Sequence, residues 1–249
     1  MRGAGARRGV VTATALSATV LTALLVTLAG CGGPVPGPGP RHGGGHTRAA
    51  DAPEAAPTRV PGVGDRLQRR IPAASRQIVA VYGDGRDSAD ATVVLYVKRG
   101  SGWDRVRGWP AHNGRKGWTT DHREGDLRSP VGVFTLRDAG GVLPDPGTRL
   151  PYTRSAAMAA PRWWPKSYWH DFDHVIAIDY NRVEGTPPND QARPRGVDKG
   201  GGIWLHMDHG SGTSACVSVS GPAMRYLLRT LDPDLRPVVV MGDRVDLAD

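Results

Sequence analysis

The stretch Gly-Gly-Gly-Ile-Trp-Leu-His-Met-Asp-His-Gly-Ser-Gly-Thr-Ser-Ala-Cys-Val-Ser-Val-Ser, residues 200–220, constrains this chain more than any other. The short apolar run 203–205 ends on His206, the loop 210–213 is rich in turn formers, and alternation of apolar and small polar residues resumes at Cys216. The pattern predicts two strands that deliver an imidazole and a thiol to one sheet edge. A thiol is a weak nucleophile until it loses its proton, and a neighbouring imidazole accepts that proton to give a thiolate–imidazolium pair. Such a pair performs acyl transfer. A single cysteine on a strand is also commonly a small buried apolar side chain, so its meaning depends on the rest of the chain.

At the other end, Arg2, Arg7 and Arg8 precede an apolar run over 10–28, the layout of an export signal with a basic head. Leu28-Ala29-Gly30-Cys31 resembles the lipobox of bacterial lipoproteins, in which the cysteine sulfur is joined to a diacylglycerol and the preceding peptide is removed. Cys31 falls where the apolar run stops, with nothing for a structural cysteine to pack against. The expectation is a signal peptide over 1–30 and a membrane anchor on lipidated Cys31, several acyl chains giving stable attachment. Arg7-Arg8 also admits a twin-arginine reading. The chain has two cysteines, so lipidation of Cys31 leaves Cys216 as the one thiol of an exported domain and forbids an internal disulfide.

With 34 glycines and 21 prolines in 249 residues, the composition argues for one folded domain plus unstructured length. Residues 31–65 hold the Gly/Pro/Ala-rich part, which buries too little apolar surface to fold and reads as a tether. The folded domain is expected over 66–249. Within it, 77–82 and 92–97 read as a hairpin, 102–109, 174–180 and 237–241 as further strands, and Ser220 with Pro222 as a helix start whose apolar stripe is Met224, Leu227, Leu228 and Leu231. No periodicity appears between Asp138 and His174. The aromatic cluster at 162–172 there reads either as a binding loop or lid, or as plugs for the core. A net charge of +8 suits an anionic partner and serves solubility equally.

Upstream lies Arg-Glu-Gly-Asp-Leu-Arg-Ser-Pro-Val-Gly-Val-Phe, residues 123–134. Read alone, Pro130 sets a turn, Gly132 permits close backbone approach and 133–136 continues as a strand, which is architecture rather than chemistry. Together with His206 and Cys216, this segment resembles the L,D-transpeptidase catalytic domain family, often called YkuD-like, over roughly residues 78–241. The resemblance implies a mostly β fold, a YkuD-like β-sandwich or flattened barrel with a short helix after the cysteine strand. It implies Cys216 as nucleophile and His206 as proton donor and acceptor. Better-known members read Ser/Thr-His-Gly-Cys with Arg or Asn two positions on; here the residues are Thr213-Ser214-Ala215-Cys216 and Ser218, so the second histidine of that pattern is missing.

In the implied reaction Cys216 attacks the carbonyl of the third residue of a peptidoglycan stem peptide, expels the terminal D-alanine and forms a thioester. Backbone N–H groups at Ala215 and Cys216 hold the oxyanion. An amine from a neighbouring stem then completes a cross-link, whereas water would make the same site an L,D-carboxypeptidase; the sequence leaves both open. No metal or organic cofactor is required. The implied partner is the stem peptide rather than nucleic acid, the chain is expected to be a monomer, and its place is outside the cytoplasm, lipid-anchored and facing the cell wall. Two other readings stand beside this one. His206, Asp208, His209, His170 and His174 are candidate zinc ligands, although histidines three apart on a strand face opposite ways and no His-Glu-x-x-His is present. The other is a non-catalytic wall-binding module with the same fold.

Overall fold

The computed structural model describes residues 56–249. The expected signal peptide, Cys31 and the expected tether as far as residue 55 lie outside the described residues. In chain order the strands are β1 (Gln77–Gly83), β2 (Asp90–Arg99), β3 (Gly102–His112), β4 (Trp118–Thr119), β5 (Ser129–Pro130), β6 (Gly132–Thr135), β7 (Ala139–Gly141), β8 (Tyr152–Arg154), β9 (Val175–Ala177), β10 (Trp204–Met207), β11 (Val217–Val219) and β12 (Val238–Asp243). Helices α1 (Asp65–Gln68), α2 (Gly221–Thr230) and α3 (Arg244–Ala248) are short. The fold is mostly β, as the family resemblance implies.

Ten strands make one sheet in the order β6-β12-β1-β2-β3-β11-β10-β9-β7-β8. β6 stands at one edge and β7 beside the other, yet only residues 136–138 separate them in sequence. The Asp179 N–H donates to Thr135 O at 3.1 Å and the Ala177 N–H to Asp138 O at 2.8 Å. A sheet whose opposite ends are tied this closely must curl on itself, which gives the flattened-barrel form. β1 and β12 lie inside it, parallel to each other, and both are buried along almost their whole length. That double burial explains their unbroken apolar runs, since a strand covered on both faces has no polar side to show.

The hairpin of β1 and β2 forms in the register Gln77↔Val97 to Gly83↔Ala91. Helix α2 starts where Ser220 Oγ accepts from the Ala223 N–H at 3.4 Å, with Pro222 in the first turn where no backbone N–H is needed. Its face of Ala223, Met224, Leu227 and Leu228 is buried in the core. Each of the larger side chains contributes roughly 1.5–3 kcal/mol by leaving water. Two expectations need correction. The strand expected over 174–180 is only Val175–Ala177: the Ile178 N–H still meets Ile203 O in register, but the Tyr180 N–H folds back onto Ile178 O at 2.7 Å and the chain turns at Asn181, φ +48°. The packed chain also begins before residue 66: Val60 and Val63 are buried, and the Trp103 N–H donates to Pro57 O at 2.8 Å. Composition placed these residues in the tether, but the two valines and bonds such as the Gly64 N–H to Leu247 O at 2.7 Å hold them on the domain. Among the described residues no helix is long and apolar enough to cross a membrane.

Candidate active site

β10 and β11 run parallel with His206 opposite Ser218. Cys216 precedes Ser218 by two residues, and the two-residue period of an extended chain sends its side chain to the same sheet face as Ser218 and His206. Both lie on one cleft of about 390 Å³, whose other walls include Arg115, Trp164, Tyr168, Phe172 and His209. A smaller cavity of about 170 Å³ opens on the other flank of Cys216, between Glu124 and Gly125 of the upstream segment and Gly201 and Gly202.

The His206 ring is buried, and its Nδ1 lies 2.7 Å from the Met207 carbonyl oxygen. A carbonyl only accepts, so Nδ1 carries the hydrogen and Nε2 keeps its lone pair. Phe172 packs edge-on against this ring, centroids 5.2 Å apart. The Cys216 sulfur accepts from the Trp204 N–H at 3.4 Å and turns its S–H toward Gly202 O at 3.7 Å. Among the described residues it makes no hydrogen bond to His206. Burial pushes the thiol up to about 11 and the imidazole down to about 4. The resting pair is therefore neutral on both sides, not the thiolate–imidazolium pair expected from residue types. Water exclusion penalises both charges; the pull of Asp208 and of the Met207 carbonyl on His206 does not offset it, and Asp171 adds to it at Cys216.

The cysteine loop is clamped from below. Ser129 Oγ, fully buried, donates to Ala215 O at 2.7 Å and accepts from the Gly114 N–H at 2.9 Å. Thr213 Oγ1 donates to Cys216 O at 2.7 Å. The backbone N–H groups of Ala215 and Cys216 are left without a partner among the described residues. The architectural reading of the segment 123–134 thus acquires a purpose: its serine fixes the loop that presents the sulfur. Ser129→Ala is expected to lower stability by about 1–3 kcal/mol, because Ala215 O and the Gly114 N–H both lose a buried partner. Thermal unfolding checks the loss, and an unchanged midpoint would show that the clamp is incidental.

A family model described as the L,D-transpeptidase catalytic domain, YkuD, matches residues 87–240, more than half of the chain. The chain belongs to that family. Membership carries an L,D-transpeptidase-family function. No curated protein matches it. Among solved structures, Bd1075 of Bdellovibrio bacteriovorus is similar at 16% identity and a TM-score of 0.38, over 74% of this chain and 52% of that one. The helical cell shape determining protein Pgp2 from Campylobacter jejuni is similar at 16% identity and a TM-score of 0.38, over 66% of this chain and 46% of that one. The chain thus spans about half the length of each, and both likenesses are too distant to bear on the site.

In this YkuD domain the residues after β10 depart from expectation. The strand ends at Met207, so alternation lapses, and Gly210 at φ +84° turns the chain. His206 and His209 do not face opposite ways: their rings are nearly parallel with centroids 6.4 Å apart, on the same cleft. Asp208 accepts from Ser218 Oγ at 2.7 Å, His112 Nδ1 at 2.8 Å and the Gly210 N–H at 3.0 Å. Burial alone would raise its carboxyl, but the Ser218 and His112 hydrogen bonds outweigh that and hold it below the usual range. It braces the turn, while the Met207 carbonyl, rather than Asp208 or His209, orients His206. Of the zinc candidates, His170 pairs with Asp173 and His174 with the Tyr152 hydroxyl, and no group of three possible ligands converges among the described residues.

Of the two roles open to it, the aromatic cluster does not take that of a core plug. Trp164, Tyr168 and Phe172 line the YkuD cleft, and Trp163 is 84% exposed, so none of these four plugs the core. Trp169 holds the segment's shape by donating from Nε1 to Trp164 O at 2.9 Å. The same segment brings in Asp171, which residue types and spacing alone did not single out.

Proposed function

We propose that this YkuD domain is a cysteine-dependent L,D-transpeptidase of peptidoglycan stem peptides. The observation that carries the reading is the placement of a half-buried thiol and an oriented imidazole on one sheet face, beside unpartnered backbone N–H groups. His206 Nε2 takes the thiol proton as Cys216 Sγ bonds to the stem carbonyl. A charge that is costly in the resting cleft develops only when the electron pair passes to the carbonyl oxygen, where the Ala215 and Cys216 N–H groups receive it. The proton then passes from His206 to the departing D-alanine nitrogen, leaving a thioester. An amine of a second stem replaces the sulfur and closes the cross-link.

Two openings that meet at Cys216 favour transfer over hydrolysis, since donor and acceptor gain separate approaches. The reading extends to the chain's setting: residues 1–30 direct export, lipidated Cys31 holds the membrane, and the tether leaves the domain facing the wall as a monomer. The test is incubation of the purified protein with a disaccharide tetrapeptide, followed by mass spectrometry. Cross-linked dimers lacking one D-alanine are expected. Tripeptide without dimers would make the enzyme a carboxypeptidase, and intact tetrapeptide that nevertheless binds would leave only a wall-binding module.

A further inference from the structure

The cleft contains a second imidazole whose surroundings differ from those of His206. His209 Nδ1 donates to Asp171 Oδ2 at 2.8 Å, and both side chains are 3% exposed. Its Nε2 is buried and has no partner among the described residues. Asp171 is itself pinned, because its backbone oxygen accepts from the Met207 N–H at 2.9 Å at the end of β10. Tyr168 packs against the ring at an interplanar angle of 31°, centroids 4.0 Å apart. A buried ring nitrogen with no partner costs about 1–3 kcal/mol in a resting protein, which is hard to account for unless something else fills the position in use.

The two imidazoles are suited to different steps. His206 is held by a neutral carbonyl, so the protein does little to stabilise its cation. His209 is held by a carboxylate through Nδ1–H, the arrangement in which a base keeps Nε2 free and its protonated form is stabilised by the partner's charge. Burial pushes the Asp171 carboxyl up, against the opposing pull of His209. His209 is therefore the imidazole of the cleft that would hold a proton on Nε2 with a carboxylate hydrogen-bonded to its other nitrogen.

We propose that His209, oriented by Asp171, takes the proton of the acyl acceptor when the Cys216 thioester is resolved. The inference rests on the thioester chemistry proposed above. As a neutral amine attacks, its nitrogen bonds to the acyl carbon and its N–H proton moves to His209 Nε2. The C–S bond breaks with its electron pair on sulfur, and the proton later passes from His209 to that thiolate, restoring neutral Cys216 and neutral His209. Water as acceptor follows the same route with an O–H proton.

Intact-protein mass spectrometry on the full chain separates the two half-reactions. With tetrapeptide donor alone, His209→Gln is expected to form the Cys216 adduct within about twofold of the wild-type rate. On addition of an amine acceptor, the adduct should decay at least tenfold more slowly than in the wild type, and added imidazole should restore part of the decay. Asp171→Asn, which leaves the ring in place, should slow decay alone as well and serves if His209→Gln does not fold. Unchanged decay, or equal slowing of adduct formation and decay in both variants, would overturn the proposal. A wild-type protein that forms no adduct on Cys216 would instead remove the thioester reading beneath it, and the control shows this separately.

Discussion

Cys216→Ala is expected to reduce turnover by at least about a thousandfold, because the proposed thioester forms on its sulfur. The fold should survive. Among the described residues the sulfur makes two weak hydrogen bonds, to the Trp204 N–H and Gly202 O, so the unfolding free energy should change by about 1 kcal/mol or less. The wild-type thiol should also show its protonated state directly. With the thiol pushed up to about 11, roughly one molecule in 10,000 holds a thiolate at pH 7. Alkylation by iodoacetamide should then be slow at neutral pH and rise about tenfold per pH unit toward pH 11. A rate already at its plateau between pH 5 and 8 would mean a resting ion pair, and the general-base mechanism would have to be given up. Acylation by a carbapenem should not follow that profile, since a reactive carbonyl draws the proton to His206 as it is attacked.

Gly117→Ala is expected to be the most damaging single-methyl change near the site. The residue sits at φ +90°, and a Cβ there would lie 1.9 Å from Arg86 O and 2.7 Å from Asp87 Cα, both backbone atoms that cannot swing aside. Gly117 O accepts from the Ser129 N–H at 2.9 Å, and the next residue, Trp118, is fully buried with its N–H on Arg86 O. Moving this backbone would displace Trp118 and Ser129 together, and Ser129 holds the Ala215 carbonyl. A loss of about 4 kcal/mol or more takes a large share of a typical 5–15 kcal/mol stability. That corresponds to a midpoint lower by roughly 10 °C for a domain of this size. Gly147→Ala is the control: φ is +95°, but nothing lies within 4 Å, so the expected loss is about 1 kcal/mol. Equal midpoints for the two variants would show that the loop yields where the structure says it cannot.

Local order was visible in the residues, and long-range order was not. The β1–β2 hairpin and α2 announce themselves through an apolar run beside turn formers and through Ser220, Pro222 and a periodic stripe, all interactions within a few residues. The parallel pairing of β1 with β12 joins Ile78 to Val238, and no spacing rule connects those positions. Residues 139–154 carry strands of three residues whose pairing is set by partners, Ala139 with Ile176 and with Tyr152, so no period could develop. For the candidate site, His206 and Cys216 stood out because each closes or opens an apolar run. The Asp171–His209 pair did not. It depends on the Met207–Asp171 backbone bond between distant segments, and the one legible hint was a carboxylate among aromatics.

The low proton affinity of His206 and the high one of Cys216 also govern how the molecule ages. Peroxides attack sulfur anions far faster than S–H groups, so the resting thiol offers them almost no target. Sulfenic acid should accumulate on Cys216 mainly in molecules caught with the thioester just released and the sulfur still anionic. Inactivation by hydrogen peroxide would then scale with the number of cycles completed rather than with hours of exposure.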